Sequence, residues 1–554
     1  MAKVIRFLNL ILIFVLIGCA GQIPPSGGPV DTSPPQIILS SPEQKELNFN
    51  SQKIILRFNK YMSQRSVESA IYFPPFNASD MNFDWSGTTL DISLHKPLQS
   101  DRTYILTLGA TALDLRGNYL GKSFNLVFST GAQIDTGSVS GRVYAAKLQP
   151  YTVAAFPITG DIDTLRPFTD LAKYVTQSDD SGRYVLQGLA DGKYRLICFD
   201  DQMRNFTYAP QMDVYSSATH DIEISKEVEV VSDVNFIPAI EDTTPPQLYG
   251  ADLANDGLVV LKFSEPIDSS GIKASDFVVR DSATSKIFPV DFAVRLEKEK
   301  YEIVLRMQSP LPLKREYLVT ATDGVKDLQQ NRMSSNNNTV VMKADSAVIQ
   351  LSPYYFNFAD SLQKITMYDT LFCQFISPTM HQDSGGAKVS LYDSSGNDVS
   401  RFVKRESATI FKVVATGLNS LEWYTLKLNY RTGMNGGLKD SVVARHFRTI
   451  DFLTLGDIEG KVSPVILKKK IIVVAMRPDG KRFYTFAGED GKFKLDGILA
   501  GDYTVRAYAQ HDSGMGYFSG RSYPYQFAEP FGVYSEPVKV RARWTTEGVA
   551  IKLY

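Results

Sequence analysis

Two stretches gather residue types that could do chemistry. The first is Asp200-Asp-Gln-Met-Arg-Asn205, which follows a strand-like apolar run. Acids and an amide at near-alternate turn positions can collect oxygen ligands for Ca²⁺. The run is shorter than a full binding loop, and Met203 offers no hard side-chain ligand. Asp200, Asp201 and Asn205 are therefore a Ca²⁺ candidate set against the commoner reading, a solvated turn closed by Asx hydrogen bonds. The same turn reading applies to Asp114-Leu-Arg-Gly-Asn118 and Asp327-Leu-Gln-Gln-Asn331. The second stretch, 514–534, is dense in aromatics around one cation: Tyr517, Phe518, Arg521, Tyr523, Tyr525, Phe527, Phe531 and Tyr534. Long irregular segments inside compact domains tend to be functional, and Tyr with Arg favours binding surfaces. The alternative is a loop folded back over its own domain. The five histidines, His95, His220, His381, His446 and His511, lack metal-ligand spacing, as do the cysteines. Neither a nucleophile elbow nor a glycine-rich phosphate loop occurs. The expectation is no catalytic residue, no resident metal and no enzyme.

Cys19 needs its neighbours to be read. Lys3 and Arg6 precede an apolar run over 7–17 broken only by Asn9. A basic start, a short apolar core and a small residue at the cut make a secretory signal. The run is too short for a spanning helix, which needs ~20 apolar residues. Leu-Ile-Gly directly before Cys19 resembles a bacterial lipobox. That resemblance implies cleavage after Gly18 and a lipid on Cys19, the only prosthetic group expected. Ala-Gly-Gln-Ile-Pro-Pro-Ser-Gly-Gly-Pro then follows as a tether, and acyl chains contribute ~0.8 kcal/mol per buried methylene to membrane attachment.

The chain has 554 residues, 44% of them hydrophobic, and a formal net charge of −1. That composition fills ordinary cores and is far from disorder. Loss of Lys3 and Arg6 with the signal makes the rest slightly more acidic, which excludes a general nucleic-acid role. Two cysteines remain after Cys19, Cys198 and Cys373, each inside an apolar strand pattern. They read as inert core thiols of different domains, not as a disulfide framework.

Internal repeats set the architecture. Asp31-Thr-Ser-Pro-Pro-Gln-Ile recurs as Asp242-Thr-Thr-Pro-Pro-Gln-Leu, and Ile54-Ile-Leu-Arg-Phe-Asn-Lys-Tyr-Met as Val259-Val-Leu-Lys-Phe-Ser-Glu-Pro-Ile. The Asp-x-x-x-Asn turns at 114 and 327 recur in the same order, and a looser third copy covers 345–450. A second repeat pairs Gly137-Ser-Val-Ser-Gly-Arg-Val with Gly456-Asp-Ile-Glu-Gly-Lys-Val. Short strands of period two, rich in Val, Ile, Tyr and Thr and separated by Gly and Asn turns, predict antiparallel β-sandwiches throughout. One helical turn, over 63–70, reads as a connector. The expected division is a signal at 1–18, lipidated cysteine and tether at 19–33, and sandwiches at 34–132, 137–240, 243–344, 345–450 and 455–554. The angles between them are left open.

The Asp-Thr-x-Pro-Pro lead-in, the Leu-Lys-Phe-Ser-Glu-Pro strand and the Asp-x-x-Gly-Asn turn resemble the S-layer-associated type of bacterial Ig-like domain. The Gly-x-Val/Ile-x-Gly-Arg/Lys-Val segments, with the Asp-Gly-Lys-Phe-Lys-Leu-Asp-Gly hairpin at 490–497, resemble transthyretin-like, carboxypeptidase-regulatory domains. With Cys19 and Pro25-Ser-Gly-Gly-Pro-Val-Asp, the whole resembles Ig-like-domain lipoproteins of Bacteroidota. That resemblance implies an outer-membrane, lipid-anchored, non-catalytic scaffold or interaction subunit. It also implies protein partners in that membrane, in the manner of lipoproteins that accompany the β-barrel assembly machine. An adhesive or glycan-binding lipoprotein is the alternative. A surface-exposed orientation is favoured over a periplasm-facing one, although 20–30 carries no acidic residue.

Overall fold

The computed structural model describes residues 30–554 except 146, 148, 159–164, 204, 211, 255–256, 337, 346–348, 377–387, 433–438, 467–468 and 511–515. The expected signal, Cys19 and most of the expected tether lie outside the described residues. The rest is all-β, a series of sandwiches each closed around its own apolar cluster.

The first sandwich packs the sheet Ile37–Ser41, Lys53–Phe58, Thr89–Leu94, Met81–Ser86 on a smaller sheet of Ile71–Tyr72, Thr103–Leu108 and Phe124–Ser129. Alternation places Ile54, Leu56 and Phe58 inward, as a half-buried strand requires. The helical turn Gln64–Ser69 connects the two sheets and buries Val67. The third sandwich repeats the plan with two four-stranded sheets, led by Leu248–Leu253 and Ile287–Phe288. In the fourth, strands Trp423–Thr432 and Lys439–Thr449 pair along their whole length, and Cys373 is buried.

The second and fifth sandwiches share a different plan. Strand Gly137–Arg142 pairs antiparallel with Arg183–Leu189 and parallel with Val230–Val231. Leu455–Ser463 likewise pairs antiparallel with Lys492–Leu499 and parallel with Thr545–Lys552. A parallel partner cannot come from a tight hairpin, so the closing strand must travel round the domain to reach the first one. It arrives so close that a Cβ on Gly141 would stand 1.9 Å from the Val234 carbonyl, and one on Gly460 2.0 Å from that of Val549. This close approach explains the recurring glycine of the Gly-Arg/Lys-Val segments.

The sandwiches do not trail one another in a line. The second is joined to the first by Tyr72, whose hydroxyl donates to the Ala172 carbonyl at 2.5 Å. The third meets the fourth through a cluster of Leu258, Val260, Val304 and Ile376. The fourth meets the fifth where Tyr368 stands edge-on to Phe483. The fifth then returns to the second: Ile237 packs with Ile472, Val474, Tyr508 and Phe531. The last four sandwiches thus form a closed circuit, and the first stands outside it.

Candidate functional site

The return contact is made largely by the aromatic stretch. Tyr525 lies 3.9 Å from the Arg195 guanidinium, and Phe527 is 5.1 Å from the same group. Arg195 is buried in the second sandwich and held by two 2.9 Å hydrogen bonds to Asp221. A desolvated guanidinium over an aromatic face is a strong form of this contact. Tyr523 sits under Arg166 and edge-on to Phe168. Ser217 donates to the Gln526 carbonyl at 2.9 Å, and its own N–H donates to the Ser519 carbonyl. Gly520, at φ +91°, allows this approach; a Cβ there would lie 1.9 Å from Ser217 Oγ. Glu241 accepts from Ser522 N at 2.7 Å and from the Tyr208 hydroxyl at 2.8 Å.

This places the aromatic candidates. Tyr517 and Phe531 are packed between the fifth and second sandwiches, and Tyr525 is enclosed on the second. Burial pushes the Tyr517 and Tyr525 hydroxyls well above their usual range. Tyr534 packs on the fifth core, and Phe518 is half-buried. Arg521 reaches the third sandwich, donating to the Gln329 carbonyl at 3.4 Å. Tyr523 and Phe527 alone among these aromatics keep exposed edges. The stretch therefore binds, but its partner is another sandwich of the same chain, and a free contact surface built on Tyr517, Tyr525 and Phe531 is corrected accordingly.

The Ca²⁺ candidate is likewise occupied by the chain itself. Asp200 Oδ1 accepts from Val214 N, Asp201 from Asn205 N and Phe206 N, and Asn205 Oδ1 from Thr207 N. These oxygens point at backbone amides, as in Asx turns. Cys198 and Cys373 are buried and free, and burial raises the Cys373 thiol to about 12.

A site not singled out from the sequence lies at the lead-in to the third sandwich. Asp242, Glu265 and Asp327 each present a carboxylate oxygen, all within 4.8 Å of one another. Asn331 Nδ2 donates to Asp327 Oδ2 at 2.8 Å and to the Asp242 carbonyl at 2.9 Å, tying the lead-in to the turn. Burial, with the charges of Asp242 and Asp327, raises the Glu265 carboxyl to about 7. Burial also raises Asp327 against its hydrogen bonds from Asn331. Such a group holds a proton, or a hard cation, more comfortably than three bare charges. The first sandwich has the same knot with one change. Asn118 Nδ2 bonds Asp114 Oδ2 at 2.9 Å and the Asp31 carbonyl at 3.0 Å, but Lys60 stands where Glu265 stands. Its ammonium lies 2.7 Å from Asp31 and 3.7 Å from Asp114. Lys60, with the Ser33 hydroxyl and amide, holds Asp31 well below the usual carboxylate range. Burial opposes ionisation of Asp114, but Asn118, backbone amides and Lys60 outweigh it and lower its pKa. Aligning the two lead-in strands, Asn-Lys-Tyr-Met against Ser-Glu-Pro-Ile, displays this exchange in the sequence.

A cleft of about 690 Å³ opens between the fourth and fifth sandwiches, lined by Tyr368, Tyr484, Asp457, Lys494, Asp496 and Arg543. Lys494 lies within 3.7 Å of Asp457, Glu459 and Asp496. Those acids raise its pKa above the usual ammonium range.

Residues 31–130 and 237–344 match the family model of a bacterial Ig-like domain, less than half of the chain. No curated protein matches. Among solved structures, the N-terminal part of the bacterial S-layer protein SbsC is 12% identical, at a TM-score of 0.18. The alignment covers 37% of this chain and 44% of that one, so the chain spans under half of that protein's length. BcpA, the major pilin subunit of Bacillus cereus, is 11% identical over 76% of this chain and 99% of its own, at a TM-score of 0.15. An L,D-transpeptidase from Mycobacterium smegmatis is 11% identical over 48% and 76%, also at 0.15.

Proposed function

We propose that this protein is a non-catalytic lipoprotein of the outer membrane, a scaffold and interaction subunit carried on a lipidated Cys19. Within that role we place it beside an envelope assembly complex that handles outer-membrane β-barrel proteins, and we read the second and fifth sandwiches as transthyretin-like. The observation that carries the reading is the closed circuit. Arg195, Glu241 and the aromatic stretch bolt the fifth sandwich to the second, while apolar and aromatic contacts join the third to the fourth and the fourth to the fifth, which suits a frame that presents surfaces to partners. The Leu-Ile-Gly-Cys19 context supports the anchor, and the bacterial Ig-like matches support an extracytoplasmic setting.

The test is Cys19→Ser in cells. The expected result is transfer from the membrane to a soluble fraction, with gentle detergent extraction of the unaltered chain recovering a barrel protein beside it. Retention of the serine variant in the membrane overturns the anchor. Recovery of no barrel protein overturns the assembly role.

The cleft between the fourth and fifth sandwiches supports an adhesive, glycan-binding reading as second choice. Exposed Tyr484 beside Asp457, Asp496 and Arg543 is a mixed aromatic and polar lining that suits sugars. Glycan-array binding that disappears in Tyr484→Ala would favour it.

A further inference from the structure

The knot of the first sandwich carries an apolar row that its counterpart lacks. Met62 faces Asp114 across a short antiparallel bridge, which sets Tyr61 opposite Leu115; the Leu115 N–H donates to the Tyr61 carbonyl at 3.0 Å. Leu113 faces Tyr119 in the next bridge. Side chains alternate along such ladders. Met62 and Asp114 turn inward, so Tyr61, Leu113, Leu115 and Tyr119 share the outer face. Tyr61 is 64% exposed, Leu115 70% and Tyr119 52%. Val30, where the tether meets the sandwich, is 77% exposed and adjoins Asp31, which Lys60 and Asn118 hold against the same knot.

The fold does not require these residues to be apolar. In the third sandwich the same bridges, Ile267 with Asp327 and Lys326 with Arg332, put Pro266, Leu328, Lys326 and Arg332 at the four positions. Val30 corresponds there to Glu241, which is buried under the aromatic stretch. That copy of the row thus carries two cations among its four positions, and only Glu241 beside it is covered by its own chain. The other is apolar, aromatic and open.

We infer that the Tyr61, Leu115, Tyr119 row rests on the lipid surface to which the chain is anchored, fixing the angle at which the first sandwich stands. This rests on the proposed lipidation of Cys19. The occupant follows from where the chain leads: residues 20–30 separate Cys19 from the row and span at most about 36 Å when extended. Tyrosine rings suit the headgroup level, where one end is wet and the other apolar. Exposed Arg116, in the turn between Leu115 and Tyr119, adds a cation that suits anionic headgroups. So small a footprint binds weakly alone, but tethering makes its binding intramolecular.

The test uses the chain from residue 20 with an N-terminal hexahistidine in place of Cys19, attached to phosphatidylethanolamine–phosphatidylglycerol vesicles through a nickel-chelating lipid. A fluorophore is placed at Leu115→Cys or, as internal control, Leu328→Cys; buried Cys198 and Cys373 do not compete for label. Spin-labelled lipid is expected to quench the label at 115 at least twofold more than the label at 328. Adding Tyr61→Ser and Tyr119→Ser is expected to abolish the difference at an unchanged melting temperature. Equal quenching at both positions overturns the inference. So does protection of position 115 only after outer-membrane proteins are added, which would assign the row to a protein partner. Because the attachment here is artificial, failure leaves the Cys19 reading to its own test in cells.

Discussion

Lys60 and Glu265 occupy the same place in two copies of one sandwich, between the same two aspartates and beside the same asparagine. In the first copy an ammonium neutralises the pair, and the outer face of the knot is open and apolar. In the third, a third carboxylate joins the pair, and the adjoining Glu241 is pinned between the second sandwich and the aromatic stretch of the fifth. The backbone ladder tolerates either charge. What differs is what each knot is next to, so side chains invisible to the fold divide the copies into a free end and an internal joint.

The largest expected effect comes from unfastening the joint. Arg195→Ala leaves Asp221 without its buried partner and Tyr525 without its cation. A loss of about 3 kcal/mol is expected in urea denaturation, with an increased radius of gyration by small-angle scattering as the fifth sandwich leaves the second. An unchanged radius would show that the apolar cluster around Phe531 closes the circuit alone.

Exchanging the central residue should sharpen the contrast. Lys60→Glu gives the first sandwich the triple acid of the third, and a cost of about 2 kcal/mol at neutral pH is expected. Glu265→Lys should move the third sandwich the other way, stabilising it. If both substitutions destabilise, the knots are not electrostatic equivalents.

Acid should act on the two knots with opposite sign. The Glu265 carboxyl, at about 7, lies above its unfolded value of 4.5, so the folded state holds the extra proton in that window. The third sandwich should therefore gain stability as pH falls from 7 toward 4.5, on the order of 1 kcal/mol after solvent screening. Glu265→Gln should remove that slope. Asp31 and Asp114 are lowered instead, so their contribution is present above their unfolded value and is lost as pH falls below it. Melting curves across pH for the unaltered chain and for Glu265→Gln separate these slopes.

The smallest effect is expected on the outer row. Tyr61→Ser, Leu115→Ser and Leu328→Ser should each change stability by under about 0.5 kcal/mol, since exposed side chains leave no cavity. A larger loss at Tyr61 or Leu115 would show that the row packs within the sandwich, and its openness would lose its meaning.

Much of the fold was legible because repeats and period-two strands are local. Ile54, Leu56 and Phe58 lie inward, and Cys198 and Cys373 are buried free thiols. The Asp114 and Asp327 turns close by Asx hydrogen bonds, as their spacing suggested. The candidate site was less legible. An aromatic stretch around Arg521 looks the same whether it meets a foreign protein or Arg195, and the bond from Ser217 to the Gln526 carbonyl that helps seat it joins residues 309 apart in sequence. The Lys60 and Glu265 exchange was visible but had no meaning until Asp31 and Asp242 were placed beside it.

Sequence alone determined the β-sandwich modules, their order and the chemistry available at each turn, because alternation, glycine and proline act over a few residues. Tertiary structure alone decided that the fifth sandwich closes on the second and that Glu241, leading into one knot, is buried there while Val30, leading into its copy, is bare. Those outcomes depend on which distant surfaces meet, and a packing contact between remote segments leaves no period or spacing in the chain that makes it.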